Sequence, residues 1–538
     1  MALLLNPTYR AVRDAHKARS EHPQSEPLAE GVRPRKQALS LFEGNGQSPR
    51  LQKSGPGVRG SDLARAQELA ERGDLDKSWD IVDRHLRYEN PDDPLALTVG
   101  AQIAMKAGRL TTAYQFARRA ADLASDNSYC WSNLAMMQDQ LYRFDDAESS
   151  CRVALSVARD DAARGAAYLN WGCMLVNRGL WSEAEPIARK ALEIKPESAK
   201  AKANLGMALL GMGRYEEGWP LYDAVIGFDK SRRKVQYANE PVWRGKPGQR
   251  IVIYGEQGLG DEISFASMIP DAIAISKSVV IDCDEKLAGL FRRSFPDAAV
   301  YGTRWENNLG WPRKDTQIDA SVSVGALGKF FRPNPESCPG TPYLKPDPER
   351  VAMWSALFKS WGKPVIGIGW TGGVPWTADR YRKWTLEDLL PLFKSVDAVF
   401  VSLQYKDVSA EIETFRKKHG IEIRQFPHAT LTKDYDDTVA MVAALDMVFS
   451  MQSAVIHAAG AIGKECWCFV NKCPQWRYGT SGDKMPWYSS VRLWRQAEDG
   501  SWPLVEAVQQ LKARFSTGTE GMHHDEDGKG QEKEEVLT

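Results

Sequence analysis

The chain has 538 residues, 43% of them hydrophobic, which is enough for several cores and excludes a single small domain; roughly 100 to 200 residues per domain suggests about three. Its 70 Lys and Arg residues balance 70 Asp and Glu, and no concentrated basic face offers a footprint for nucleic acid. No apolar stretch reaches the roughly 18 to 20 residues that span a bilayer, and the apolar start is too short for a secretory signal, so we expect a cytoplasmic protein.

Both ends of the chain are predicted to be disordered. Residues 1–60 are rich in Pro, Gly and Ser and hold ten Lys/Arg against five Asp/Glu, whereas residues 516–538 hold two against seven. Such segments bury too little apolar surface to offset the entropy lost on ordering.

A repeat of 34 to 37 residues follows the first tail. Small residues recur at Ala66, Ala101, Ala135, Gly172 and Gly206. Seven positions later come the predicted turns between paired helices, at Gly73, Gly108, Tyr142, Gly179 and Gly213. The pattern resembles the tetratricopeptide repeat, in five imperfect copies, and we assign residues 61–240 to a repeat arm and linker. Stacked repeats form a concave surface, which predicts a protein or peptide partner; a dimerisation surface is the alternative.

The period changes after about residue 240, where short β-branched runs alternate with helical patterns. The predicted strands are Ile251–Tyr254, Val279–Asp282, Ala299–Tyr301, Val365–Trp370, Ala398–Leu403, Ile421–Gln425, Met447–Ser450 and Cys466–Val470. This alternation is typical of parallel sheets covered by helices. Prolines between 339 and 348 suggest a link between two lobes, 241–345 and 346–515. The predicted class is therefore α + α/β, a helical solenoid followed by two Rossmann-like lobes, with the site in the cleft between them.

The turn from Gly255 to Asp261 follows the first of these strands, and its glycines permit close backbone approach at a helix start. On spacing alone Asp261 is either a site carboxylate or an ordinary helix cap. The motif, with Phe265 after it, resembles repeat-linked bacterial proteins related to the heptosyltransferases (glycosyltransferase family 9) and to repeat-linked protein O-glycosyltransferases. The resemblance covers about residues 240–512. It implies the two-lobed GT-B fold, with Asp261 as catalytic base.

Further matches lie in the second lobe, and the resemblance implies a nucleotide-diphosphate sugar as donor with no cofactor or metal. The implied donor-binding residues are Gly258, Gly260, Trp370, Thr371, Arg380, Lys383, Gln404, Gln452, Ser453, Ala454 and His457. One departure stands out, because related sequences usually carry Asp where this chain has Gln452, and a neutral amide cannot make the same charge-assisted contact. The sequence therefore predicts an inverting glycosyltransferase whose repeat arm holds a protein acceptor.

Four alternatives stay open at this stage. Asp282 and Asp284 end a strand in the Asp-x-Asp pattern by which another transferase fold holds a divalent cation. The acceptor could instead be lipopolysaccharide or another surface glycan. A nucleotide-sugar epimerase would share the two-lobed fold. Finally, a degenerate transferase domain on a non-catalytic repeat scaffold would bind partners without chemistry.

Overall fold

The computed structural model describes residues 59–228, 230–306, 309–311, 317–373, 382–431 and 433–516. Almost all of the two predicted disordered ends lies outside these ranges, as does Arg380. The first described helix begins at Arg59 and the last ends at Ser516. No helix in the described part of the chain is long and apolar enough to cross a membrane.

From Arg59 to Tyr222 the described chain forms ten α-helices that pack as five successive pairs. They are α1 (Arg59–Arg72), α2 (Leu75–Tyr88), α3 (Pro94–Lys106), α4 (Leu110–Leu123), α5 (Ser128–Gln140), α6 (Phe144–Ser156), α7 (Asp161–Asn177), α8 (Trp181–Ile194), α9 (Ala199–Gly211) and α10 (Tyr215–Tyr222). The two helices of each pair are joined by a turn residue in the left-handed region, at φ of 85°, 75°, 61°, 70° and 81° for Gly73, Gly108, Tyr142, Gly179 and Gly213. The helical repeat and its turns are therefore confirmed.

The small residues of the repeat lie where paired helices approach. Ala101 and Ala135 are fully buried, and so is the next small position of the repeat, Ala113. A side chain at Gly206 would overlap the backbone nitrogen of Tyr222, on the partner helix. The spacing of small residues thus sets the helix-to-helix distance, and the arm is tetratricopeptide-like.

The first sheet has four parallel strands in the order β3-β2-β1-β4. Its elements are β1 (Arg250–Tyr254), α11 (Leu259–Phe265), α12 (Ile269–Ile275), β2 (Ser278–Asp282), α13 (Ala288–Ser294), β3 (Ala298–Tyr301), β4 (Ala320–Ser323) and α14 (Gly328–Phe331). The sequence predicted three of these strands. The fourth, β4, has the sequence Ala-Ser-Val-Ser, whose alternation of apolar and polar residues is only four residues long and holds a single β-branched residue.

The second sheet has seven strands in the order β10-β11-β9-β8-β5-β6-β7, all parallel except β10. Its elements are α15 (Pro348–Lys359), β5 (Val365–Gly369), α16 (Leu390–Ser395), β6 (Val399–Ser402), α17 (Ser409–His419), β7 (Ile423–Arg424), α18 (Pro427–Thr430), α19 (Tyr435–Ala444), β8 (Met447–Met451), α20 (Ala454–Ala461), β9 (Cys466–Val470), β10 (Lys484–Met485), β11 (Tyr488–Arg495) and α21 (Leu504–Ser516). The sequence did not predict β10 and β11.

One hydrophobic core joins the last repeat to both sheets. At its centre Trp219 of α10 packs edge-to-face against Phe265 of α11 and Trp476, which follows β9. The indole N–H of Trp219 also donates to the carbonyl of Arg332 at 2.8 Å. Aromatic contacts of this kind bury large apolar areas, so the arm and the two sheets are packed as one unit at this point.

Candidate functional site

The turn between β1 and α11 is held in an unusual backbone conformation. Gln257 lies in the left-handed region at φ 59°, which is uncommon for a residue with a side chain. Its N–H donates to the carbonyl of Ser231 at 2.7 Å, and its amide donates to the Tyr222 hydroxyl at 2.7 Å. The last arm helix and the linker therefore fix the turn that leads to Asp261, and strain held by surroundings is a feature of functional loops.

Two buried ion pairs flank this turn. The Arg232 guanidinium contacts both carboxylate oxygens of Glu256, at 2.8 and 3.0 Å. On the other side, Arg304 lies 3.0 Å from Glu262, and burial raises the pKa of that carboxyl to about 7. Burying a charged group carries a desolvation penalty that a well-placed partner offsets. The turn is therefore flanked by two arginine–carboxylate pairs whose partners depend on each other.

Asp261 has two partners. One oxygen accepts from the Gly258 backbone N–H at 3.1 Å, which caps the start of α11. The other lies 2.8 Å from the Arg477 guanidinium, and the Asp261 side chain is 25% exposed. Arg477 itself is only 2% exposed and lies over the rings of Phe265 and Trp476, at 4.6 and 4.8 Å. One oxygen of Asp261 therefore acts as a helix cap. The other pairs with Arg477, which belongs to the region of the second sheet, and so connects the two sheets.

Gly260 is the point at which the first sheet meets helix α20 of the second. A side chain on Gly260 would lie 3.0 Å from the His457 ring and 3.2 Å from the Cα of Ala454. Three of the residues named from sequence thus come together, and the absence of a side chain on Gly260 allows this close approach of the two backbones. Gly258 lies at the N-cap of α11 in the same turn.

His457 is buried one turn into α20. Its ring nitrogens lie 3.1 Å from the Tyr488 hydroxyl and 3.5 Å from that of Tyr478. Burial, and then the charge of Arg477, lower the pKa of His457 to about 3. The imidazole is therefore neutral near pH 7 and can serve as a hydrogen-bonding group without charge.

Gln452 and Ser453 precede α20. Gln452 is 1% exposed, and neither atom of its amide has a hydrogen-bond partner among the described residues. Ser453 is the N-cap of α20, and its hydroxyl makes no capping hydrogen bond. Both groups thus stand beside a helix start, where free N–H groups and the helix dipole favour an anion.

Trp370, Thr371 and Gln404 form a tight unit at the end of β5. The Gln404 oxygen accepts from the backbone N–H groups of Trp370 and Thr371 at 2.8 and 2.9 Å, and its nitrogen donates to the Thr371 hydroxyl at 2.8 Å. The Trp370 indole is fully buried and donates to Glu411 at 3.0 Å. The buried side chains of Trp370 and Gln404 therefore fix the conformation of the backbone at this strand end.

The segment around Arg382 and Lys383 runs antiparallel to the residues that follow β5. Thr371 bridges to Lys383, and the Gly372 N–H donates to the Arg382 carbonyl at 2.8 Å. Lys383 is exposed, whereas Arg382 is buried and, like Arg477, lowers the pKa of His457. Sequence reasoning named Lys383 and missed Arg382 and Arg477. Their side chains reach the site through tertiary contacts that a local motif does not display.

The two aspartates of the alternative metal motif already have protein partners. Asp282 accepts from the Tyr237 hydroxyl at 2.7 Å and from the N–H and hydroxyl of Thr303 at 3.1 and 2.8 Å. Asp284 caps a short helix through the Lys286 N–H at 3.1 Å. Within the described ranges, no group of three or more His, Cys, Asp or Glu side chains is arranged to hold a metal ion. Asp282 acts here as a structural acceptor.

Comparison with known proteins gives one curated relative and several structures of repeat proteins. No family model matches the chain. Protein FlbA of Caulobacter vibrioides is 33% identical over 316 residues, which is 55% of this chain and 51% of that protein. The chain thus spans about half the length of the curated relative it matches.

The similar solved structures each cover about a third of this chain. MamA is 18% identical, with a TM-score of 0.25, over 30% of this chain and 91% of that one. TTC0263, a thermophilic TPR protein of Thermus thermophilus, is 22% identical, with a TM-score of 0.26, over 31% and 89%. YrrB, a TPR protein with an unusual peptide-binding site, is 18% identical, with a TM-score of 0.23, over 31% and 83%. At such TM-scores these are partial likenesses, and the assignment of the arm rests on its own helix pairs.

Proposed function

We propose that the chain is a metal-independent glycosyltransferase of the GT-B type that moves a sugar from a nucleotide-sugar donor to an acceptor hydroxyl. Supporting this, two parallel sheets meet where the β1–α11 turn contacts the start of α20. Ligands of open α/β sheets bind outside the carboxyl ends of the strands. The observation that carries the proposal is the Asp261–Arg477 pair beside that helix start.

In the proposed reaction the acceptor oxygen attacks the anomeric carbon as its bond to the diphosphate breaks. Asp261 takes the acceptor's proton, and the nucleoside diphosphate leaves with the bonding electron pair, inverting the anomeric centre. The leaving diphosphate gains negative charge, which the N–H groups at the start of α20 and the cations Arg477, Arg382 and Lys383 would stabilise. Arg380, named from sequence for the same task, lies outside the described residues.

The arm supports an acceptor that is a protein or peptide. Five helix pairs form a surface of the kind that holds extended chains, and the last pair packs directly on the Asp261 turn. An acceptor held along the arm would thus end near the reacting groups. A lipopolysaccharide or surface-glycan acceptor is the alternative, which the resemblance to heptosyltransferases favours.

A non-catalytic scaffold is the second candidate function, and two observations favour it. Gln452 stands where an acidic residue is usual, and both Asp261 oxygens are already engaged, in the helix cap and the Arg477 pair. A degenerate domain of this kind would bind a nucleotide sugar and leave it intact.

Release of nucleoside diphosphate separates the two functions. The full chain is incubated with UDP-, GDP-, ADP- and dTDP-sugars, with and without co-expressed acceptor proteins, alongside Asp261→Asn and the exposed control Asp297→Asn. An enzyme releases the diphosphate from one donor, and Asp261→Asn slows release by roughly 10²- to 10⁴-fold while the control does not. Binding of a donor without release supports the scaffold instead.

A further inference from the structure

Trp305 is an exposed tryptophan held in a fixed orientation near the proposed site. It follows β3 and is 44% exposed. Its indole N–H donates to Asp284 at 2.9 Å, and the Arg304 guanidinium lies over the ring at 4.3 Å. One face of the indole is therefore covered by a cation and its polar edge is anchored, which leaves the exposed part of the ring as a rigid apolar platform.

Arg304 ties this platform to the Asp261 turn. Its guanidinium is buried, lies 3.0 Å from Glu262 and donates to the Gln257 carbonyl at 2.9 Å. Glu262 follows Asp261 in the chain, and Gln257 lies within the same turn. The position of the indole is thus coupled to the position of Asp261 through a single side chain.

The Asp284 carboxylate borders the platform. It is 15% exposed, accepts from the Trp305 indole and the Lys286 N–H, and lies 3.5 Å from the Arg304 guanidinium. A carboxylate has about four lone-pair sites, so Asp284 can still accept from a ligand. An apolar ring next to a carboxylate suits a ligand with an apolar C–H face and a rim of hydroxyl donors. The carboxylate disfavours an anionic group at the same place.

We propose that the open face of Trp305 is a stacking subsite for a pyranose ring, with Asp284 accepting one of its hydroxyl groups. The inference rests on the proposed glycosyl transfer and names a substrate contact for it. The ring belongs either to the donor's sugar or to a glycan on the acceptor. In both cases the contact is made by the loop that follows β3 of the first sheet.

Saturation-transfer NMR on the full chain tests the subsite without requiring turnover. The probes are methyl glycosides of glucose, galactose, mannose and N-acetylglucosamine for the acceptor source, and intact UDP-, GDP-, ADP- and dTDP-sugars for the donor source. We expect saturation of ring C–H protons in at least one probe. Trp305→Ala should weaken that binding roughly two- to tenfold, Trp305→Phe should retain part of it, and Tyr88→Ala, an exposed control on the arm, should leave it unchanged.

The outcomes separate the subsite from the transferase proposal. Loss of the signal for free glycosides in Trp305→Ala assigns the ring to the acceptor, and loss only for the sugar of nucleotide sugars assigns it to the donor; both support the subsite. Equal binding by wild type and Trp305→Ala, or no ring contact by any probe, overturns it. Absence of diphosphate release in a protein that still shows the Trp305-dependent signal contradicts the transferase and leaves the sugar subsite standing.

Discussion

The repeat arm and the two-sheet region place their charged side chains in different environments. In the arm most Arg and Lys ion pairs are exposed contacts along a helix or between neighbours, such as Arg72 with Glu68. Around the Asp261 turn they are buried and link distant segments, as in Arg232 with Glu256. Exposed pairs contribute little to stability, whereas a buried pair that loses one partner leaves an uncompensated charge. The contrast separates an arm whose charged side chains are mostly exposed from a turn that buried ion pairs hold in place.

Removing one buried partner should produce the largest effect on stability. Glu256→Ala removes the carboxylate that contacts the buried Arg232 guanidinium at two points and leaves it only the carboxylate of Asp223, at 3.2 Å, so the free energy of unfolding should fall by about 3 kcal/mol. The matched change in the arm, Glu68→Ala, should stay within about 0.5 kcal/mol. Urea unfolding followed by circular dichroism measures both. Similar losses in the two variants would remove the distinction between the regions.

Glu262 and His457 should give opposite pH dependences. Because the pKa of Glu262 is raised from 4.5 to about 7, the folded chain keeps a proton that the unfolded chain loses, and stability falls as pH rises between these values. Because the pKa of His457 is lowered from 6.5 to about 3, the unfolded chain gains a proton that the folded chain does not, and stability falls as pH drops below 6.5. The two slopes oppose each other between about pH 4.5 and 6.5.

Single substitutions should separate the two contributions to the pH dependence of the unfolding free energy. Relative to wild type, the unfolding free energy of Glu262→Gln should rise by about 2 to 3 kcal/mol from pH 4.5 to 6.5, and that of His457→Gln should fall by a similar amount. Urea titrations at three pH values in this window measure the differences. Profiles that run parallel to wild type in both variants would show that neither group has the shifted pKa.

Two glycines at the same repeat position test the close approach of helices in the arm. Gly206→Ala should destabilise by about 1 to 3 kcal/mol, because the added methyl overlaps the Tyr222 backbone. Gly172→Ala meets only ordinary contacts, the nearest at 3.6 Å, and should be neutral or stabilising by up to about 1 kcal/mol. Thermal unfolding compares them. Equal changes in stability for the two variants would show that the overlap with the Tyr222 backbone does not limit the residue at Gly206.

The smallest expected effect concerns the hydrogen bond that joins the arm to the turn. Tyr222→Phe removes the hydroxyl that accepts from Gln257 while it keeps the ring under Arg232. The expected loss is about 1 kcal/mol in unfolding free energy. If the turn depends on the arm, diphosphate release should also slow, and the exposed control Tyr88→Ala should affect neither quantity. An unchanged rate would show that the arm does not position the turn.

The sequence predicted the arm well because its signal is local and repeated. A residue in the left-handed region recurs at a fixed distance from a small residue, and the structure places Gly73 and Gly108 at those turns. Apolar runs predicted most of the parallel strands for the same reason. The strand β4 was missed since the alternation of Ala-Ser-Val-Ser is only four residues long and holds a single β-branched residue, too weak a signal to predict a strand.

Much less of the site could be predicted. The glycine turn and the helix start were visible as motifs, and the structure brings Gly260, Ala454 and His457 together. Arg477 could not be identified, because it pairs with Asp261 only through the packing of Trp476 and Phe265 between the sheets. Trp370 and Gln404, which the sequence predicts to bind the donor, have buried side chains, and the Trp370 indole donates to Glu411. Local motifs mark where backbones meet, and tertiary packing decides which side chains face the site.

Calorimetric titration of the full chain with UDP, GDP, ADP and dTDP tests the proposed diphosphate site directly. We expect at least one of them to bind, and we expect Arg477→Met and Gln452→Leu each to weaken that binding, the former by roughly tenfold or more. Lys472→Met, which lies in the loop after β9, serves as the control and should bind as wild type does. Absence of binding by every nucleoside diphosphate, or equal affinity in wild type and both site variants, would contradict a diphosphate site between the Asp261 turn and α20.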